Sequence, residues 1–274
     1  MASSPATISS DSRLAAAWAA LGAARRTALI PYLTAGHPSP AESLAAIRAA
    51  DEIADIIEVG VPFSDPLADG LTIQRSTFEA LRQGMTLGRT LELIAQAAPV
   101  RPVVVFSYLN PVLQYGMDRF LAEAAGLGVA GLLLTDVPAG SDPQLEGAVR
   151  RSPLDLIRLI APTTSDSRLA RAVEGAEGFI YLVARLGVTG ASAALSSDLA
   201  AQVARVRRVT PLPIAVGFGI STAEQAGTVA KLADGVVVGS ALVDVLGREG
   251  VAGARRFLEA LRRSLDVARE EPRR

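Results

Sequence analysis

The sequence predicts a single α/β domain folded as a (β/α)8 TIM barrel, with an extra helix before the first strand. Eight short apolar runs rich in β-branched residues recur along the chain, each followed by a turn signal and a helical stretch. Their nearly continuous apolar character is typical of parallel strands covered on both faces. The alternative, an open doubly wound sheet, usually has a glycine-rich turn after its first strand, whereas residues 31–38 contain one glycine.

The predicted elements follow one another in a regular order. An apolar segment from Leu14 to Ala24, which runs into two arginines, predicts a first amphipathic helix. Strands are then predicted at 28–34, 56–60, 102–108, 129–136, 155–161, 178–185, 212–218 and 235–240. We expect one domain over residues 1–274, with frayed tails at about 1–10 and 269–274.

Capping residues predict where several helices begin. The motif Ser-Pro-Ala-Glu at Ser39 has an N-cap hydroxyl, a proline at the first helical position and a reciprocal glutamate. The motif Ser-Thr-Ala-Glu at Ser221 repeats this capping box after the seventh strand. Ser240 is expected to cap a short helix over residues 241–246.

The composition excludes several kinds of chemistry. The 27 basic and 28 acidic residues leave a net charge of -1, which gives no support to a nucleic-acid backbone site. Without cysteine there is no thiolate metal site or thiol nucleophile, and the single histidine, His37, argues against His-rich metal sites and a Ser-His-Asp triad. The only lysine, Lys231, is expected on the helix after strand seven, away from the C-terminal rim of the barrel, so a Schiff-base mechanism fits poorly.

The sequence gives no indication of a membrane span or an export signal. No segment reaches the roughly 20 consecutive apolar residues that a membrane helix needs. The apolar segment that starts at Leu14 lacks the basic start and small-residue cleavage site of a signal peptide. We therefore expect a soluble, cytoplasmic protein.

Acidic residues at the end of the second strand are the first candidate site. Glu58 lies in a strand that should be buried, where an ionised carboxylate must be paired, protonated or turned toward a polar cavity. A structural ion pair with an arginine and a general acid with a raised pKa are both open interpretations. The loop that follows, 61–70, contains Asp65 and Asp69, each of which is also an ordinary turn residue.

Glycines on three late loops indicate a phosphate site. Residues 187–190 follow the sixth strand, 217–219 the seventh and 239–240 the eighth. Barrels of this class often bind phosphate at these loops, where backbone N–H groups and a helix N-terminus approach the anion. The sequence therefore predicts a phosphorylated small-molecule ligand.

With these features in place, the sequence resembles the family of tryptophan synthase alpha subunits. Residues 57–70, Ile-Glu-Val-Gly-Val-Pro-Phe-Ser-Asp-Pro-Leu-Ala-Asp-Gly, match the family signature almost residue for residue, and 72–74 continue it. Further matches occur at 31–36, 108–111 and 136–138 and in the three glycine loops, so only the tails fall outside the resemblance.

The resemblance implies retro-aldol cleavage of indole-3-glycerol phosphate to indole and glyceraldehyde 3-phosphate. The acid at Glu58 would protonate indole C3 and help to remove the glycerol hydroxyl proton. The acid at Asp69 would accept a hydrogen bond from the indole N–H and stabilise positive charge. No metal is implied.

The resemblance also assigns binding and interface residues. Those expected at the substrate are Tyr32, Phe106, Leu133, Tyr181, Thr189, Gly190, Gly217, Phe218, Gly219, Gly239 and Ser240. Within this set, Gly190, Gly219, Gly239 and Ser240 would hold the phosphate, Tyr181 would lie near the glycerol group and Glu58, and Tyr32, Phe106, Leu133 and Phe218 would enclose the indole. Those expected at a beta subunit are Pro62, Asp65, Pro66 and Asn110. That partner would hold pyridoxal phosphate and receive indole through a tunnel in an α2β2 assembly, and this chain would have no cofactor.

Two residues depart from the family pattern. Leu71 stands where the family usually has proline, which should make the Asp69 loop more mobile, and Leu186 stands where it often has serine. The alternatives to an alpha subunit are a free-standing indole-producing lyase and a non-catalytic activator of the beta subunit. A sugar-phosphate isomerase or epimerase is a more distant alternative, because it would not need the long acidic loop.

Overall fold

A computed structural model describes residues 12–184, 192–217 and 219–268 of the chain. Its eight strands form a closed barrel in sequence order, and all neighbouring strands are parallel. The strands are β1 Ala28–Thr34, β2 Ile57–Gly60, β3 Val103–Ser107, β4 Val129–Leu134, β5 Asp155–Ile160, β6 Ile180–Val183, β7 Ile214–Gly217 and β8 Gly235–Val238. The closed order confirms the predicted barrel and shows that the open doubly wound sheet is wrong.

Helices surround the barrel and connect its strands. Within the described ranges they are α1 Arg13–Ala23, α2 Pro40–Ile53, α3 Leu71–Arg82, α4 Leu87–Ala97, α5 Leu109–Tyr115, α6 Met117–Gly126, α7 Pro143–Arg150, α8 Asp166–Ala172, α9 Ser192–Arg207, α10 Ala223–Ala230 and α11 Ser240–Val267. Gly250 interrupts α11 with non-helical angles, φ 65° and ψ -168°.

The predicted N-terminal helix is confirmed as α1, which packs against the N-terminal end of the barrel. Leu14, Trp18 and Leu21 form its buried face, and the Trp18 ring lies 5.7 Å from that of Phe179. Burying a large apolar side chain of this kind contributes about 1.5–3 kcal/mol. Ser12 caps the helix by accepting hydrogen bonds from two backbone N–H groups, which fixes where it begins.

The strands are apolar because both of their faces are buried. Inward side chains such as Ile30, Val104 and Leu133 form one cluster inside the barrel, while outward ones such as Leu29 and Val105 pack beneath the helices. Where a predicted strand limit lies in a described part of the chain, the observed limit is within two residues of it. The predicted tails 1–10 and 269–274, and the strand ends at Arg185 and Phe218, lie outside the described residues.

One predicted helix start is confirmed and two are corrected. Ser39 accepts a hydrogen bond from the Glu42 N–H at 3.2 Å, as expected of the N-cap of α2. The cap of α10 is Thr222 rather than Ser221, because Gln225 completes the capping box with Thr222. Ser240 is the first residue of α11, which Gly239 precedes as N-cap, and the helix extends well beyond the predicted residue 246.

Lys231 is the C-cap that follows α10 rather than a residue within the helix, but it lies away from the C-terminal rim, as the sequence predicts. Leu109–Tyr115, which include the predicted interface residue Asn110, form α5, whose first N–H donates to Asp136 Oδ1 at 2.9 Å. Within the described ranges, no helix is both long and apolar enough to cross a membrane.

Candidate active site

Glu58 is a buried carboxyl group with no partner among the described residues. It lies in β2, in register with Tyr32 of β1 and Val104 of β3, and its side chain is 0% exposed. Neither of its carboxyl oxygens has a hydrogen-bond partner within the described part of the chain. Burial raises the pKa of Glu58 to about 8, so most molecules hold the protonated form at neutral pH. The alternative of a structural ion pair with an arginine is not formed among these residues.

Two tyrosines close to Glu58 occupy space that two glycines leave open. A Cβ atom on Gly60 would lie 2.0 Å from the Tyr32 hydroxyl oxygen, and one on Gly217 would lie 2.2 Å from that of Tyr181. Burial raises the pKa of both tyrosines, and the charge of Glu58 raises each further. Each strand-end glycine therefore makes room for a phenol group near the acid.

Asp69 lies on the loop between β2 and α3, and its side chain is half-buried. Burial raises the pKa of Asp69 to about 6, although a hydrogen bond from the Tyr108 side chain opposes the rise. The Tyr108 hydroxyl also accepts a hydrogen bond from the Ala68 N–H at 2.9 Å, and Gln74 donates to the Asp69 carbonyl at 2.9 Å. Leu71, one of the two departures from the family pattern, is the first residue of α3. Proline is common at this first helical position.

A cavity of about 430 Å³ lies at this C-terminal end of the barrel. Tyr32, Phe106 and Tyr181 form its aromatic side, and Tyr32 meets Phe106 edge to face with ring centroids 5.2 Å apart. Asp69 is also in the wall. An apolar cleft with a few polar groups suits a flat aromatic ligand.

Glycines and a helix N-terminus also line the cavity. Gly219, Gly239 and Ser240 line it, as the sequence predicts for a phosphate site. Gly219 has φ +81°, a left-handed angle that favours glycine. The start of α11, at Ser240, carries the partial positive charge of unpaired N–H groups, which attracts anions. The predicted residues Thr189, Gly190 and Phe218 lie outside the described residues, as does Leu186.

Three predicted site residues lie away from the cavity surface. Leu133 is fully buried in the cluster inside the barrel and does not line the cavity. Gly217 and Glu58 do not line the cavity either. Tyr32 and Tyr181, which do line it, are the residues whose pKa values respond to Glu58. The described ranges contain no group of three or more His, Cys, Asp or Glu side chains that could hold a metal ion.

The predicted interface residues differ in exposure. Asp65 and Asn110 are exposed, Pro66 is half-buried and Pro62 is buried. Apolar side chains nearby in sequence are also exposed to solvent: Leu67 is 92% exposed and Leu113 is 53% exposed. Exposed apolar groups on both segments are typical of a surface that a partner covers.

Sequence reasoning missed two polar residues at this end of the barrel. Tyr108 was part of a recognised motif, but only the structure shows that it holds the Asp69 loop. Asp244 lines the cavity one turn into α11 and pairs with Arg75 of α3 at 3.1 Å and Arg248 at 2.8 Å. The pair with Arg75 could not be read from the sequence, because its members come from separate helices, whereas Asp244 and Arg248 are four residues apart in α11.

Comparison with known proteins identifies the family. The model of the family described as tryptophan synthase alpha chain matches residues 18–268. The chain belongs to the tryptophan synthase alpha chain family. The family's members catalyse the alpha reaction of tryptophan synthase, so this chain is a lyase of tryptophan biosynthesis. The isomerase or epimerase alternative is therefore wrong.

Solved structures of tryptophan synthase alpha chains support the same assignment. A Mycobacterium tuberculosis tryptophan synthase structure in space group F222 is 40% identical over 93% of this chain and 98% of its own, with a TM-score of 0.85. The aminoacrylate-bound form from M. tuberculosis is 39% identical over 93% and 99%, with a TM-score of 0.83. Subunit alpha from Legionella pneumophila str. Paris is 32% identical over 93% and 99%, with a TM-score of 0.86.

Proposed function

We propose that the chain cleaves indole-3-glycerol phosphate to indole and glyceraldehyde 3-phosphate by a retro-aldol reaction, as an alpha subunit with Glu58 and Asp69 as its catalytic acids. The observation that carries this proposal is the buried Glu58, which has no partner in the described part of the chain, beside an aromatic cavity that includes a helix N-terminus. An isolated buried carboxyl group is costly to a protein, and such groups cluster at functional sites.

Glu58 performs the proton transfers in this mechanism. With a pKa of about 8 it is protonated at neutral pH and can give its proton to indole C3. The resulting carboxylate accepts the proton of the hydroxyl group next to the breaking bond. The electrons of that O–H bond form the aldehyde carbonyl, and those of the broken C–C bond restore the indole ring. Because Glu58 is wholly buried, its side chain must rotate toward the cavity to reach the substrate.

Asp69 stabilises the charge that develops during this transfer. Protonation at C3 leaves positive charge on the indole nitrogen, and a carboxylate that accepts the N–H hydrogen bond lowers the energy of that state. With a pKa of about 6, Asp69 is ionised at pH 7 while Glu58 is not. The two acids thus have different protonation states in the same site, as acid–base catalysis requires.

The remaining cavity residues position the substrate. Tyr32 and Phe106 contact the indole, while Gly219, Gly239 and the N-terminus of α11 bind the phosphate. Thr189, Gly190 and Phe218 are assigned to the same site by the family resemblance alone.

We propose a tryptophan synthase beta subunit as the partner, in an α2β2 assembly located in the cytoplasm. The exposed Leu67 and Leu113, beside the predicted interface residues Pro66 and Asn110, support a contact at this end of the barrel. Pyridoxal phosphate belongs to that subunit, and we assign no cofactor to this chain.

A cleavage assay with three variants tests the catalytic roles. We expect Glu58→Gln to lower turnover by about 10²–10⁴-fold, the usual contribution of general acid–base catalysis. Asp69→Asn should lose about 10²–10³-fold through weaker charge stabilisation. The matched control is Asp155→Asn, which changes another buried acid of pKa about 6 on β5 and should keep near wild-type turnover. Equal rates in the wild type and Glu58→Gln would remove Glu58 from the mechanism.

Turnover with and without a beta subunit tests the proposed partnership. We expect low activity alone and a clear increase when the partner covers the Asp69 loop. High activity without stimulation would favour the free-standing lyase. Absence of turnover in both conditions would favour the non-catalytic activator.

A further inference from the structure

The described wall of the candidate active site is acidic, although the proposed substrate is an anion. Two of the described residues that line the cavity are acids, Asp69 and Asp244, and none of them is a lysine or an arginine. Asp69 has a role in the proposed reaction, whereas Asp244 has none. A carboxylate repels a nearby phosphate group, so Asp244 opposes substrate binding unless other groups neutralise its charge.

Asp244 lies beside the proposed phosphate position. Gly239 precedes α11, Ser240 is the first residue of this helix, and Asp244 follows one turn later. All three residues line the cavity. Residues four apart share one face of a helix, with Cβ atoms about 5–6 Å from each other. The carboxylate of Asp244 is therefore near enough to interact with a phosphate group at the N-terminus of α11.

Two arginines neutralise Asp244. Arg75 donates from Nη2 to one carboxylate oxygen at 3.1 Å, and Nη2 of Arg248 lies 2.8 Å from the other oxygen. Arg248 belongs to the next turn of α11, whereas Arg75 belongs to α3. Both arginines are exposed, so these ion pairs contribute little to the stability of the fold. The charge that they remove from the cavity wall is their larger effect.

Packing between α3 and α11 places Arg75 next to Asp244. Ile73 of α3 and Val243 of α11 form a buried cluster with Tyr32 of β1. Arg75 is two residues from Ile73, and Asp244 directly follows Val243. The two helices are thus held together by apolar contacts, and the ion pair forms at their edge. Removal of the Arg75 side chain should leave this packing intact.

We propose that Arg75 sets the affinity of the candidate active site for its phosphorylated substrate by neutralising Asp244. This inference rests on the proposed function, because it takes the N-terminus of α11 as the phosphate site. Arg75 does not line the cavity and acts on the substrate only through Asp244. The phosphate group is present in both the bound substrate and the transition state, so a loss of Arg75 raises KM and changes kcat little.

Calorimetric titration with glycerol 3-phosphate tests the inference without a cleavage step. We expect Arg75→Ala to weaken binding about three- to tenfold, and the difference from the wild type should shrink at high salt. KM for indole-3-glycerol phosphate should rise by the same factor, with kcat within about twofold. Binding of glycerol 3-phosphate without cleavage by the wild type would contradict the proposed reaction but not the role of Arg75. Equal affinities of the wild type and Arg75→Ala would overturn that role.

A second substitution at Asp244 distinguishes neutralisation from other roles of Arg75. The double variant Arg75→Ala, Asp244→Asn should recover wild-type affinity, because the repelling charge is gone. If the double variant binds as weakly as Arg75→Ala, then Arg75 acts by direct contact or through the fold, and the inference is wrong. The matched control is Arg256→Ala, which removes an exposed arginine that pairs with Glu249 farther along α11, at 3.2 Å. An equal loss of affinity in this control would assign the effect to the net charge of the chain.

Discussion

Asp55 and Glu58 lie three residues apart, the first just before the second strand and the second within it, and both are buried. Asp55 accepts hydrogen bonds from the Leu29 N–H at 2.9 Å and from Arg262 at 2.9 Å, whereas Glu58 has no partner among the described residues. Asp55 connects β1 and α11 to the segment before β2. The raised pKa of Glu58 means that this acid lowers the stability of the native state at high pH. The difference teaches that burial of an acid does not reveal its role, whereas the presence or absence of partners does.

Removing Asp55 should produce the largest loss of stability. We expect Asp55→Ala to lower the free energy of unfolding by about 3–5 kcal/mol, because Arg262 stays buried without its main partner. Urea denaturation measures this loss. The control is Asp266→Ala, which removes the exposed partner of the same arginine and should cost less than about 1 kcal/mol. Equal losses in the two variants would remove the distinction between a buried and a surface partner.

Replacing Glu58 should change how stability depends on pH. The pKa of Glu58 is raised in the folded state, so between its ordinary value and about 8 the native state holds a proton that the unfolded state has released. Wild-type stability therefore falls as pH rises through this window, by up to about 1.4 kcal/mol per pH unit, and the loss is complete above pH 8.

Denaturation of the wild type and Glu58→Gln at several pH values measures this contribution. We expect the variant to be the more stable protein at pH 8, with the advantage shrinking as the pH falls toward 5. Parallel stability curves for the two proteins would show that Glu58 is not desolvated in the native state.

The rate of cleavage should report both acids at the C-terminal end of the barrel. Asp69 must be ionised and Glu58 protonated, so kcat/KM should rise up to a pH of about 6 and fall above about 8. Beyond each limit the change should approach tenfold per pH unit. In Asp69→Asn, the pH profile of kcat/KM should lose its acidic limb and keep its basic limb. If the acidic limb persists in this variant, a group other than Asp69 is responsible for it.

Tyr108 should give the smallest effect of this series. Its hydrogen bond to Asp69 lowers the pKa of that acid, so Tyr108→Phe should shift the acidic limb of kcat/KM to higher pH. The loss of the bond from Ala68 should cost about 0.5–1.5 kcal/mol of stability. The control is Tyr115→Phe, whose hydroxyl bonds Glu123 on the surface and should leave the limb unchanged. A shift of the same size in both variants would contradict a specific contact to Asp69.

Local chemistry explains which elements could be predicted from the sequence. Ser39 is predicted correctly as an N-cap because its partners lie within the next three residues. The α10 cap is one residue from the prediction because Ser221 and Thr222 are both good caps, and it is the Thr222 hydroxyl that accepts the Gln225 N–H. The first N–H of α5 donates to Asp136, which lies on another loop, so the sequence around α5 does not predict this contact.

The sequence by itself determined the barrel, the acidic loop and the identity of the two candidate acids. Strand and helix periods are local properties of the chain, and an uninterrupted motif identifies a family without coordinates. Only the tertiary structure decided that Glu58 has no partner in the described ranges while Asp55 has several, and that the hydroxyls of Tyr32 and Tyr181 occupy the space beside Gly60 and Gly217. Partners, burial and pKa shifts depend on residues that are distant along the chain, so they are fixed only when the barrel closes.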